Sequence, residues 1–246
     1  MLLGITFVMA GSCVYNNYLD REIDRKMERT NRRALATGRL TTFNALGYGT
    51  VLLIVGCLLL GAFTNLRTLC TALFGVIIYV FVYGYFKRRN SLSTVVGSVA
   101  GAVPPVVGYI AVTNNFDGGA LLLFLVLVFW QMPHFYSIAI YRYKDYKNAG
   151  LPVLPVKHGF RNTKIQILLY IGAFAAASIL LSALGYSSWI YLVVSIFAFV
   201  YWLSLGIKGW KLNDPSKWAR KMFGASLLVL LAISCAMIIN SIVWMV

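Results

Sequence analysis

The sequence predicts an all-α fold, a polytopic bundle of about eight transmembrane helices around a central cavity open to the cytoplasmic face. Three observations predict it. Hydrophobic residues make up 60% of the 246 positions, mean hydropathy is +0.76, and only 12% of residues are charged, about half the share usual in soluble domains. Eight apolar runs lie near residues 1–19, 43–63, 67–86, 93–112, 119–141, 164–184, 187–207 and 222–244, each close to the ~20 residues a helix needs to cross a bilayer. Continuous runs of this length exclude a β-barrel, whose strands alternate and are roughly half as long. Finally, 21 of the 22 Lys and Arg follow the first, third, fifth and seventh runs, and Arg67 alone does not. Cytoplasmic loops carry such an excess, so those four segments face the cytoplasm. The net charge of +15 therefore reports orientation. Basic residues divided among membrane spans, with no nucleic-acid-binding motif, argue against a nucleic-acid partner.

The first run lacks a basic n-region and an A-x-A cleavage site, so it reads as a retained span. It ends in Asn16-Asn17-Tyr18-Leu19-Asp20-Arg21-Glu22-Ile23-Asp24. Asn16, Asp20 and Asp24 are four apart and share one helix face, with Asn17 beside them. Their Cα atoms cover about 12 Å at a rise of roughly 1.5 Å per residue. Hard oxygen donors along that distance suit Mg²⁺ held against a polyphosphate, because Mg²⁺ takes few carboxylates and keeps positions for phosphate oxygens. The same spacing also fits a solvated helix end bearing ion pairs. Arg25-Lys26-Met27-Glu28-Arg29-Thr30-Asn31-Arg32-Arg33 follows at once. Carboxylates beside so many cations make sense when the ligand is itself negative, with acids holding metal and Lys/Arg holding phosphate oxygens. Arg21, Arg32 and Arg39 satisfy the topological bias alone.

The second and third runs lead to Lys87-Arg88-Arg89, a basic wall that fits phosphate binding or plain topology. Pro104-Pro105 in the fourth run and Pro133 in the fifth free backbone carbonyls and bend their helices, which is tolerated where a helix lines a cavity. If the fifth span stays helical, Gln131, His134, Tyr141 and Asp145 fall within roughly one quarter of its circumference. Such a polar stripe faces the protein interior or water. His134, after Trp130-Gln131-Met132-Pro133, reads in three ways: bonded to a neighbouring helix, a general base, or an axial haem ligand. The third polar segment, Tyr141-Arg142-Tyr143-Lys144-Asp145-Tyr146-Lys147, again sets an acid among cations, and its end could face that of the first segment across one cavity. His158 reads as solvated. Of the seven acids, Asp20, Glu22, Asp24, Glu28 and Asp145 lie in these two segments, leaving Asp117 and Asp214 in ordinary loops. Cys13, Cys57, Cys70 and Cys235 lie within apolar runs, make no CxxC pair, and read as packing residues.

An acid-and-cation mouth on a membrane cavity suits an amphiphile with a diphosphate head and an apolar tail. The matching reaction is prenyl transfer. Metal and cations stabilise charge on the departing pyrophosphate, and aromatic walls shield the allylic cation. The 15 Tyr, 15 Phe and 6 Trp permit such walls.

The run Asn16-Asn17-x-x-Asp20-x-x-x-Asp24 with Arg29-Thr30 resembles the first signature of the UbiA-type intramembrane prenyltransferases, and Tyr141-x-x-Lys144-Asp145 resembles the second. Tyr85-Phe86-Lys87-Arg88, Gly101–Pro105, Trp130–Phe135 and Tyr141–Pro155 resemble the branch that modifies haem, and the likeness runs nearly from end to end. The resemblance implies transfer of a farnesyl group from farnesyl diphosphate to a vinyl group of haem B (protohaem IX), giving haem O and pyrophosphate. It implies Mg²⁺–diphosphate at Asn16, Asn17, Asp20, Asp24 and Asp145, and phosphate contacts from Lys26, Arg29, Arg33, Lys87, Arg88, Arg142 and Lys144. Tyr141 and Lys144 would assist pyrophosphate departure with Asp145, and His134 would position haem. The implied setting is the bacterial cytoplasmic membrane, with handover of product to haem A synthase or a terminal oxidase. The family has nine spans, one of them before the Asn-Asn helix; Met1 starts on that helix, so residues 1–246 are expected to form one prenyltransferase domain lacking that first span. Ala34 stands where the family has proline, which loosens the loop locally. A single acid in the second signature favours the haem branch over relatives that modify quinones or other aromatic acceptors. A secondary transporter also places acids and broken helices in a polytopic fold, but its ionisable groups sit near the midplane rather than at one mouth. A structural or assembly protein has no use for two matched acid-and-base helix ends.

Overall fold

The computed structural model describes residues 1–210 and 214–243, with side chains described as far as residue 239. Lys211 of the fourth basic segment and the end of the eighth apolar run at Trp244 lie outside the described residues. All regular elements among the described residues are helical: α1 Leu2–Asp24, α2 Thr42–Phe63, α3 Leu66–Ile77, a π-helical segment Ile78–Tyr83, α4 Gly84–Lys87, α5 Ser93–Thr113, α6 Gly118–Tyr141, α7 Tyr143–Asn148, α8 Leu154–Ala183, α9 Trp189–Lys208 and α10 Pro215–Val243. Counting α3, the π segment and α4 as one, seven are long and apolar enough to cross a membrane. The eighth expected span, α1, falls short on composition because its C-terminal third is the polar Asn16–Asp24 run.

Helix starts follow local chemistry. Thr41, Asn65, Asp117 and Ser188 accept hydrogen bonds from the backbone N–H groups of Asn44, Thr68, Ala120 and Tyr191, satisfying donors that a helix N-terminus leaves open. Asp214 accepts from the N–H groups of Ser216 and Lys217 at 3.0 and 3.1 Å, with Pro215 at the first helical position, where its fixed φ is favourable. The two acids assigned to ordinary loops are thus helix caps. The helix after the fourth basic segment, α10, accordingly starts seven residues before its apolar run. α8 also begins early, at Leu154, and turns sharply at Gly159, whose φ of 77° and ψ of 170° are open to glycine. The apolar run from residue 164 is the part beyond that turn.

The chain forms two compact units, Met1–Phe116 with Lys144–Val153, and Asp117–Tyr143 with the described part of Leu154–Val246. In the first, α1 and α2 run antiparallel along a seam of small residues, with Gly4 against Gly56 and Gly11 against Gly49. A Cβ on Gly56 would stand 2.7 Å from Val8 N and 2.8 Å from Gly4 O, so the helix backbones touch there. Close backbone approach through small residues is how membrane helices gain packing energy without a hydrophobic drive. Ile5, Val8, Leu60, Ala72, Val103 and Val107 form the buried core beside this seam, joining α1, α2, α3 and α5. Gly56→Ala is expected to destabilise the chain by about 1–3 kcal/mol, the usual cost of overpacking, measurable as a lowered unfolding midpoint in detergent. In the second unit α6 packs on α8 and α10, and α9 completes the set against the same two helices. α5 continues through Pro104-Pro105 and α6 through Pro133, so these prolines do not end their helices.

Candidate active site

The helical repeat buries the face that carries Asn16, Asp20 and Asp24, while Tyr18, Arg21 and Glu22 on other faces remain more open. Asp20 is 1% exposed. Its Oδ2 accepts from Asn16 Nδ2 at 3.1 Å and from Lys87 Nζ at 2.5 Å. Lys87 reaches it from the end of the third span, with its ammonium 5.6 Å from the centre of the Tyr83 ring. Burying a carboxylate is costly unless it is paired and hydrogen-bonded, and Lys87 supplies the pairing.

Beyond Asp24 the backbone leaves the helix and folds into consecutive turns to residue 40. Buried Met27, Thr30, Leu35 and Ala36 pin this loop, and Arg25 Nε donates to the Ala36 carbonyl at 2.8 Å. The loop thereby returns Arg33 to the helix. Arg33 Nη1 donates to both Asn17 Oδ1 and Asp24 Oδ2, each at 2.9 Å. The same loop meets the second signature, for the backbone N–H of Glu28 donates to Asp145 Oδ1 at 3.2 Å.

Three buried oxygens of this set have no hydrogen-bond partner: Asn16 Oδ1, Asp20 Oδ1 and Asp145 Oδ2. Unsatisfied buried acceptors cost about 1–3 kcal/mol each and call for a ligand. Asp20 and Asp24 are paired with Lys87 and Arg33, whereas the Asp145 carboxylate accepts from a neutral backbone N–H and is left with negative charge that a bound cation would balance. Among the described residues no three His, Cys, Asp or Glu gather as a metal cage. One or two carboxylates plus an amide oxygen is instead the donor set of a Mg²⁺ ion completed by phosphate and water.

The other expected site residues divide as follows. Lys26, Arg29 and Lys144 are exposed. Arg88 donates through Nη2 to the Leu19 carbonyl, which commits part of its guanidinium to α1. Tyr141, Arg142 and His134 belong to the second unit. There Tyr141 lies edge-on to Phe223 at 5.9 Å, with the guanidinium carbons of Arg142 and Arg220 at 5.4 and 5.9 Å from its ring centre. Arg142 Nε is buried and unpartnered. The expected stripe from Gln131 to Asp145 stops at Tyr141, because Arg142 (φ −102°, ψ 22°) breaks the helix before α7 begins. His134 Nδ1 lies 2.7 Å from Ser226 Oγ. Sequence reasoning missed Arg220 and Ser226, since one looked like topology charge and the other stands in an apolar run without a motif.

The sequence profile of the UbiA prenyltransferase family matches residues 1–228. The chain belongs to the UbiA prenyltransferase family. Among UbiA relatives, the protoheme IX farnesyltransferase of Protochlamydia amoebophila (strain UWE25) is 48% identical over 233 residues, covering 95% of this chain and 82% of that protein. The solved structures that superpose on this UbiA chain share its all-helical architecture. One, described under the biosynthesis of "Digeranylgeranylglyceryl phosphate synthase in membranes", aligns with a TM-score of 0.81 at 19% identity, covering 98% of this chain and 84% of that one. Another, a UbiA homologue from Archaeoglobus fulgidus bound to GPP and Mg²⁺, aligns with a TM-score of 0.66 at 19% identity, covering 96% and 86%. This UbiA chain is a multi-pass membrane protein and a prenyltransferase.

Proposed function

We propose that the chain transfers the farnesyl group of farnesyl diphosphate to a vinyl carbon of haem B, releasing pyrophosphate and giving haem O once water supplies the hydroxyl. The observation that carries the reaction class is the set of buried, unsatisfied oxygens on Asn16, Asp20 and Asp145 beside Lys87 and Arg33. The acceptor is supported by the relatives' name, protoheme IX farnesyltransferase, at 48% identity. Asn16, Asp20 and Asp145 would hold Mg²⁺ through their open oxygens, while Arg33 fixes Asn17 and Asp24. When bound, Mg²⁺ supplies positive charge to the diphosphate.

The protein's own groups do the rest. Lys87, already desolvated against Asp20, presents a cation beside the leaving phosphate. Lys26, Arg29, Arg88, Arg142 and Lys144 add phosphate contacts from the loops, and Tyr141, with the guanidinium groups of Arg142 and Arg220 near its ring, assists departure. Such charge stabilisation in a water-poor site is worth several kcal/mol. His134 positions haem. The polar loops face the cytoplasm of a bacterial inner membrane, all described residues act as one prenyltransferase domain, and the product passes to haem A synthase or a terminal oxidase.

Membranes containing the chain, supplied with farnesyl diphosphate and haem B, are expected to form haem O and pyrophosphate in the presence of Mg²⁺. Chelation should stop both. Prenylation of a quinone precursor in place of haem B would assign the chain to another acceptor class. Mg²⁺-independent uptake without pyrophosphate release would make it a transporter.

A further inference from the structure

In the second unit, α6 and α10 meet at Ser226, and the hydrogen bonds there settle where a proton lies. Ser226 Oγ is 2.6 Å from the carbonyl oxygen of Phe223. Two oxygens that close require a hydrogen between them, and a carbonyl has none to give. The single hydroxyl proton of Ser226 is therefore committed to Phe223. His134 Nδ1 lies 2.7 Å from the same Oγ, which has only lone pairs left to offer. That contact is a hydrogen bond only if Nδ1 carries the proton. In neutral imidazole the other nitrogen, Nε2, is then bare.

The ring's direction is fixed as firmly as its tautomer. Trp130 stacks on His134 at 5.0 Å and 23°, and Phe223 lies at 4.8 Å and 37°. Trp130 Nε1 donates to the Ser226 backbone carbonyl at 2.8 Å. α6 thus grips residue 226 through both its main chain and its side chain.

We infer that Ser226 is a positioning residue: it holds His134 as the Nδ1–H tautomer, so that Nε2 is the lone-pair ligand for the iron of the porphyrin acceptor. This rests on the haem-acceptor reading above. An iron-ligating histidine needs a bare nitrogen toward the metal, and the acceptor on its far nitrogen fixes ring orientation and raises ligand strength.

The test uses the full chain in lipid nanodiscs, titrated separately with ferric haem B and with iron-free protoporphyrin IX, followed by absorbance and electron paramagnetic resonance. Wild type is expected to give an imidazole-ligated haem spectrum, and His134→Ala to lose it. Ser226→Ala should weaken haem B binding by about 10–100-fold, the usual cost of losing such a partner, and leave protoporphyrin IX binding and the KM for farnesyl diphosphate unchanged. Ser226→Thr, which keeps the hydroxyl, should restore the haem spectrum. Equal weakening toward both porphyrins would make Ser226 merely structural and overturn the inference, as would a wild-type haem spectrum in Ser226→Ala or His134→Ala. If those variants behave so while haem O still forms, the acceptor reading stands and this inference alone falls. If wild type neither binds nor converts haem B, the acceptor reading falls first.

Discussion

Asp20→Ala is expected to abolish haem O formation, and Asp20→Asn to lower it by about 10²-fold or more, the scale seen when one preorganised electrostatic group is removed. Both chains should still insert in the membrane. The carboxylate has two duties that a single substitution confounds. Its Oδ2 neutralises Lys87, and its Oδ1 is the open acceptor. Removing the charge strands a largely buried lysine, at a cost of about 3–5 kcal/mol for breaking a buried pair. Asp20→Asn combined with Lys87→Met removes both partners and should recover most of that stability. It should not recover turnover. Haem O yield by chromatography, set beside the unfolding midpoint of each variant, separates the two duties. Half of wild-type turnover in Asp20→Ala would count decisively against metal–diphosphate binding here.

Asp145 gives the second large effect, and here the two duties come apart more cleanly. Asp145→Ala removes the acceptor for the Glu28 N–H together with the unsatisfied Oδ2. Asp145→Asn keeps an oxygen for Glu28 and loses the charge. Both are expected to lose turnover by about 10²-fold or more. The alanine variant alone should also lose about 1 kcal/mol of stability, the net worth of one hydrogen bond. Were the asparagine variant fully active, Asp145 would be a loop anchor, and the second signature would serve architecture.

Seven of the eight expected spans were legible because their apolar runs match a bilayer's thickness, and the acids were legible because so few exist. Asn16, Asp20 and Asp24 share a buried face as their spacing requires. The partners of those acids were not legible. Lys87, Arg88 and Arg89 are consecutive, and nothing in their order says that Lys87 pairs with Asp20 while Arg88 turns to the Leu19 carbonyl. Arg33 returns to Asp24 through a loop of turns with no periodicity to read. The assumption of one continuous helix through Arg142 failed for a related reason, since a single residue's backbone angles ended it. Ser226 is hidden because a serine in a membrane helix commonly bonds its own backbone. Its second contact is visible only once α6 is beside it.

Six residues in the third span, Ile78–Tyr83, wind with the wider π repeat. A π turn accommodates one residue more than an α turn, and each α residue advances the helix by about 100°. The side chains that follow are therefore dialled round by about one position relative to an uninterrupted α-helix. Gain or loss of a single residue upstream would thus bring Phe86 or Arg88 to the place Lys87 holds against Asp20, so the wide turns set whether an aromatic ring, an ammonium or a guanidinium meets the carboxylate.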